Sequence, residues 1–191
     1  MSGHPGNGAA AALLLIDVQN SFFDKAGQNY YPQSAEALPA LRQLLQAARE
    51  AKRPVIFAAE RHRAGLADFE TEKLPQHCVA GEFDAELVAG FGPQSPREIL
   101  LAKRRMSAFH ATDLDLLLRE LRVGALIIGG VKTNVCVRAT VQDGFSLGYR
   151  CHVVREAVNS NRRHLAEASL EDIDRYLGWI VTLEDGLRML S

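Results

Sequence analysis

Ala11-Ala12-Leu13-Leu14-Leu15-Ile16-Asp17-Val18 is an apolar run interrupted only by a carboxylate near its end. It does not alternate, so neither face is built for water, and it is too short to cross a membrane. A strand buried on both faces fits it, and such strands belong to parallel sheets covered by helices. The pattern recurs outward from there. Residues 54–59, 99–103, 125–130, 151–154 and 179–181 read as five further strands. Between them lie amphipathic stretches. Leu38, Leu41, Leu44, Leu45 and Ala48 share one helical face behind Pro39. Leu114, Leu117, Leu118 and Leu121 form a second stripe, with Thr112 as cap, Asp115 three residues later, and Gly124 as stop. Val137, Val141, Gly144 and Phe145 mark a third helix, capped by Thr133 or Asn134, and residues 162–177 a fourth. This alternation predicts an open, mostly parallel six-stranded sheet with helices on both faces, a Rossmann-like three-layer α/β sandwich.

The 191 residues suit one domain, with residues 1–10 expected as a tail. Hydrophobic residues at 47%, charged residues at 24% and a net charge of −1 give no electrostatic basis for nucleic acid or an anionic membrane. Lys103-Arg104-Arg105 is the one basic cluster, and it abuts an apolar strand. Three cysteines without CxxC spacing argue against a disulfide framework or zinc cluster and suit a reducing cytoplasm. Residues 61–96 interrupt the strand–helix rhythm and are expected to build part of a binding site.

Ligands of open parallel sheets bind beyond the carboxyl ends of the strands. Asp17, Lys103 and Cys136 all stand there, near the end of the first, third and fourth apolar runs. Singly, each has a plainer reading: a helix cap, a solvated strand end, a small buried hydrophobe. Their coincidence at one sheet edge points to chemistry. With Thr133 as cap, Cys136 falls in the first helical turn, where free N–H groups favour a thiolate or hold an oxyanion. Gly129-Gly130 would permit close backbone approach to a ligand.

Three motifs resemble those of the isochorismatase-like hydrolases. They are Leu15-Ile16-Asp17-Val18-Gln19-Asn20-Ser21-Phe22, Lys103-Arg104-Arg105-Met106-Ser107-Ala108-Phe109, and Gly130-Val131-Lys132-Thr133-Asn134-Val135-Cys136-Val137-Arg138-Ala139-Thr140. His77-Cys78-Val79-Ala80-Gly81, followed by Ala85-Glu86-Leu87, resembles a segment that many members carry over the site. The resemblance runs from about Leu13 to Leu190. It implies an Asp17-Lys103-Cys136 triad with Asp17 as general base, a cis peptide at Val131–Lys132, and an oxyanion hole from the backbone N–H groups of Lys132 and Cys136. It further implies that Gln19, Phe22, His62 and Val131 contact a small-molecule substrate, and that the chain is a homodimer or homotetramer. Two departures bear on substrate choice: Lys132 replaces a small residue, and Gly81-Glu82-Phe83-Asp84-Ala85 replaces Gly-Thr-x-Gly-Ala.

The expected activity is cleavage of a C–N bond in a small carboxamide, carbamoyl or ureido compound through a thioester, without an organic cofactor. Glu60-Arg61-His62 and His77 resemble the metal ligands of nicotinamidases, the zinc-binding branch. Glu60 is a methylene longer than the usual aspartate, so His62 is assigned to the pocket and no metal is expected. A metal-assisted nicotinamidase and a catalytically silent binding or scaffold protein are the alternatives. One fast, pH-dependent alkylation at Cys136 would separate enzyme from scaffold.

Overall fold

β1 (Ala10–Ile16) sends alternate side chains into two buried layers. Leu13 and Leu15 join one core, while Ala12, Leu14 and Ile16 join the other. This is what an unbroken apolar strand is for, since each large side chain withdrawn from water contributes about 1.5–3 kcal/mol. The computed structural model describes residues 10–66 and 68–191. The expected tail therefore lies outside the described residues over 1–9, and Ala10 already belongs to β1.

The other strands are β2 (Val55–Glu60), β3 (Glu98–Lys103), β4 (Val123–Val131), β5 (Arg150–Asn159) and β6 (Trp179–Val181). They form one sheet in the order β3-β2-β1-β4-β5-β6, with every pairing parallel. The helices are α1 (Asn20–Phe23), α2 (Leu38–Glu50), α3 (Leu114–Glu120), α4 (Arg138–Ser146), α5 (Arg163–Asp172) and α6 (Leu183–Leu190). Leu41 and Leu44 of α2 and Leu190 of α6 cover one face of the sheet. Leu114 and Leu118 of α3, Val141 of α4 and Leu170 of α5 cover the other. The expected three-layer α/β sandwich is thus the observed one. None of the helices among the described residues is long and apolar enough to cross a membrane.

Several local expectations are corrected. Helix α3 is not stopped by Gly124, which lies in β4; the chain reverses at Arg122, whose φ of 54° is left-handed. Thr112 Oγ1 does accept from Leu114 N–H at 3.2 Å, but Asp115 closes no capping box and pairs with Arg119 and Tyr149 instead. The segment that carries Cys136 begins as a π-helical turn, Thr133–Val137, preceded by Lys132 and capped by no side chain. Asn134 accepts from Ser160, and Thr133 Oγ1 is buried without a partner. Phe145 faces solvent, and Thr140 takes its place on the buried face of α4. Strand β5 runs five residues beyond the expected end, because exposed Arg155 and Glu156 interrupt its apolar pattern. Helix α6 went unread, although Thr182 caps it by accepting from Asp185 N–H at 3.2 Å, a legible Thr-x-x-Asp signal.

Candidate active site

Order reverses between β1 and β4: the chain leaves β1 toward β2 and β3, then crosses back to β4. Open α/β sheets bind ligands in the crevice such a reversal leaves. Four strands deliver functional groups to it. Asp17 follows β1, Glu60 ends β2, Lys103 ends β3, and Cys136 lies in the turn after β4. Gly130 makes the crossing possible. Its φ is 126°, and a Cβ there would collide with the backbone of Ile16. The close approach that the paired glycines permit is therefore to β1 and to Leu41 and Ala157, not to a ligand.

Asp17 is wholly buried in the left-handed region, with φ 51°, and its N–H donates to the Ala58 carbonyl at 2.8 Å. Aspartate tolerates this conformation better than most residues, and strain of this kind gathers at functional sites. Its Oδ1 accepts from Glu60 N–H at 3.1 Å. Its Oδ2 stands 2.9 Å from Lys103 Nζ, close enough for an ion pair but outside the alignment of a hydrogen bond. That oxygen keeps a lone pair for another proton. Lys103 is equally buried; Nζ donates to the Arg105 carbonyl at 3.2 Å and reaches Cys136 Sγ at 3.6 Å. The three sequence-distant residues thus converge on one ammonium.

Burial governs the charges. It raises the Asp17 carboxyl to about 6, against the pull of Lys103. It pushes the Cys136 thiol well above its ordinary range, with Lys103 again opposing and Asp17 and Glu60 adding to the rise. Burial also works against the Lys103 ammonium, but Asp17, Cys136 and Glu60 outweigh it and hold the proton on. The resting site is therefore carboxylate, ammonium and neutral thiol. A thiolate favoured at rest by the helix end is not what this environment gives, because full burial outweighs a partial dipole.

The Val131–Lys132 peptide is cis. Lys132 N–H donates to no acceptor among the described residues, and its carbonyl takes Val135 N–H and Val137 N–H. A free backbone donor thus lies next to the turn that carries Cys136. The residues expected to touch substrate separate in the structure. Gln19 is engaged elsewhere: Nε2 donates to the carbonyls of Glu60 (2.9 Å) and Ala85 (2.8 Å), and Oε1 accepts from Glu60 N–H (2.8 Å). It is a clamp that fixes the end of β2, with both donors used. Val131 is fully buried in the α2-side core, so only its backbone can face a ligand. Phe22 is buried and turns its ring to the Lys132 ammonium.

His62 lines a cavity with Asp68, Glu70 and His77, and it belongs to a second cluster of titratable groups. Donor atoms of Glu60, His62, Glu70 and His77 lie within 4.8 Å of one another, and all four residues are buried. His62 Nδ1 is bonded to Asp68 Oδ2 at 3.1 Å and His77 Nδ1 to the Pro75 carbonyl at 2.8 Å. Both Nε2 atoms therefore turn inward, the arrangement by which outer partners orient metal-binding imidazoles. His62 Nε2 and Glu70 Oε2 have no hydrogen bond despite their burial. Two imidazole nitrogens with two carboxylates suit zinc or a similar divalent ion. The donor set fits a metal, whereas Glu60, His62 and His77, the three ligands offered by the sequence, are one short of it. Glu70 is the fourth. Nothing in the spacing distinguished it from Asp68 or Glu72, which stand two residues away on either side. Asp68 is in turn gripped by Arg105 at 2.8 Å and Arg104 at 3.1 Å, so the basic cluster serves this site.

The same architecture recurs among known proteins. The chain is 32% identical to maleamate amidohydrolase of Pseudomonas putida over 97% of its own length and 89% of that protein's. It is 29% identical to the ureidoacrylate amidohydrolase of Yersinia enterocolitica over 92% and 87% of the two chains. An isochorismatase-like hydrolase from Alkaliphilus metalliredigens superposes with a TM-score of 0.88 at 27% identity, covering 96% of this chain and all of that one. Residues 11–185, nearly the whole of the described fold and every group of both clusters, match the isochorismatase domain, and the chain belongs to the isochorismatase family.

Proposed function

We propose that this protein hydrolyses the C–N bond of a small carboxamide, carbamoyl or ureido compound, with Asp17, Lys103 and Cys136 as its triad. The observation that carries the reading is the placement of one buried ammonium 2.9 Å from Asp17 Oδ2 and 3.6 Å from Cys136 Sγ. Relatives named as amidohydrolases support the bond type.

Proton transfer from Cys136 Sγ to Asp17 Oδ2 changes no net charge in the buried site, because Lys103 stays between them as the cation. The thiolate so formed attacks the substrate's carbonyl carbon. The backbone N–H groups of Lys132 and Cys136 receive the oxyanion, where fixed donors are worth most. Collapse breaks the C–N bond as Asp17 returns its proton to the leaving nitrogen, which departs as ammonia or an amine. Water then attacks the thioester, giving its proton to Asp17. Expulsion of the thiolate frees the acid, and the proton on Asp17 restores the thiol. Glu60, His62, Glu70 and His77 are the residues that would hold a divalent ion, which when bound supplies Lewis-acid polarisation beside the triad.

The decisive experiment is rapid quench of the wild type with an amide it turns over, followed by mass spectrometry. An acyl adduct on the peptide containing Cys136 is expected, with turnover abolished in Cys136→Ser. Full activity in that variant would rule out the covalent route.

A further inference from the structure

Lys132 is the feature that the mechanism leaves unexplained. Only its backbone has a task, yet its side chain is half-buried and held over two aromatic faces. Nζ lies 5.7 Å from the centre of the Phe22 ring and 5.8 Å from that of Tyr31. Both rings are 5% exposed, so they form a fixed apolar wall. No carboxylate pairs with this ammonium, and no hydrogen-bond acceptor meets it, among the described residues. Burial works against its charge, while Cys136 and Glu60 favour it.

A second group on the same wall is also unsatisfied. Tyr31 Oη is buried and has no hydrogen-bond partner. A buried hydroxyl left alone is costly, and an unpaired, partly desolvated ammonium more so. Cation–π contact offsets part of this, but a planar ring cannot replace an anion. Two unsatisfied donors on one wall, one of them on Lys132, four residues before Cys136, are complementary to a carboxylate. Lys103, Arg104 and Arg105 are already engaged by Asp17, Cys136 and Asp68, whereas the Lys132 ammonium has no such partner among the described residues.

We propose that Lys132 and Tyr31 form a carboxylate-binding subsite beside Cys136, so that the preferred substrates are small amides whose acyl part carries a carboxylate. This rests on the hydrolase reading above and narrows its substrate class. The Lys132 ammonium supplies the charge and Tyr31 Oη a directed hydrogen bond, and the Phe22 ring packs beside the ammonium. Specificity follows because an uncharged isostere would leave both donors buried and unpaired.

The test compares succinamic acid with its methyl ester, which keeps the same acyl chain, adds one methyl and removes the charge. Ammonia release by the purified full-length chain should favour the acid in kcat/KM by about 10- to 100-fold, the range expected for charge-assisted hydrogen bonds. Lys132→Met should collapse that preference mainly through KM, Tyr31→Phe should reduce it several-fold, and Lys132→Arg should restore part of it. Because the measure is a ratio, a general loss of activity cancels. Succinate itself gives a readout that needs no turnover: it should protect Cys136 of the wild type from iodoacetamide, and protect Lys132→Met far less. Succinate protection that depends on Lys132, with no ammonia from either amide, would keep the subsite and sink the hydrolase reading. Equal use of acid and ester by the wild type, or equal succinate protection in Lys132→Met, overturns the subsite.

Discussion

Replacing Lys103 by methionine keeps most of the stem's packing and removes one charge from a fully buried site. At 2.9 Å and an effective dielectric of about 20, the Lys103–Asp17 attraction amounts to about 6 kcal/mol. A tenfold change in protonation ratio corresponds to about 1.4 kcal/mol. Loss of even half the attraction carries a carboxyl that already stands near 6 well above neutrality. In Lys103→Met, then, Asp17 keeps its own proton at pH 7 and cannot accept one from Cys136. Turnover measured by ammonia release should fall by about two orders of magnitude or more, as it does on losing a preorganised electrostatic partner. Stability should fall less than the 3–5 kcal/mol usual for breaking a buried pair, because protonation removes the stranded charge. Thermal unfolding checks that part. Lys103→Arg should rescue poorly, since a planar fork cannot place one proton donor between a carboxylate and a sulfur 3.6 Å from the original nitrogen. Arg104→Met and Arg105→Met serve as controls. Both arginines grip Asp68, so their loss should disturb His62 rather than the triad. Near-wild-type turnover in Lys103→Met would refute the charge argument.

Four further outcomes are expected. Elemental analysis of the purified protein should find close to one equivalent of a divalent transition metal per chain, reduced at least tenfold in Glu70→Gln; metal-free protein from a metal-supplemented preparation would dismiss the quartet as a site. Gln19→Leu should destabilise the fold by about 2–4 kcal/mol, because three buried hydrogen bonds at the end of β2 are lost. A rise in KM with unchanged stability would instead assign Gln19 to the substrate. Gly130→Ala should cost more than about 3 kcal/mol or prevent folding, since φ is positive and the new methyl meets the Ile16 backbone; a melting temperature within a few degrees of wild type would contradict the packing of β4 on β1. Thr182→Ala should cost about 1 kcal/mol in chemical denaturation by uncapping α6, and no change would mean that the cap contributes nothing.

Strands were legible wherever both faces are buried, as in residues 11–16, because withdrawal from water on two sides leaves no room for polar residues in the sequence. Where a strand leaves the core the signal vanished, as at Arg155 and Glu156, whose backbone is still part of β5 while their side chains reach solvent. Asp17, Lys103 and Cys136, the proposed triad, were legible as candidates because each stands near the end of an apolar run, and a parallel sheet sends all such ends to one edge. Of the groups brought in by the irregular segment, His62 and His77 were legible only through the family resemblance, and the acids were not legible at all. Glu70 and Asp68 stand among several acids in a stretch without period, and only folding turns one toward His62 and the other behind it.

By itself, then, the sequence determined the α/β layering, the parallel sheet and the identity of the residues at its carboxyl edge, since these follow from periodicity and chain order. The tertiary structure decided what each group is free to do. It engaged both Gln19 donors with backbone carbonyls, closed Val131 into the core, raised the Cys136 thiol by burial, and left the donors of Lys132 and Tyr31 unpaired. The physical reason is that hydrogen-bond satisfaction and desolvation depend on distances between residues far apart in the chain, and no local pattern encodes those distances.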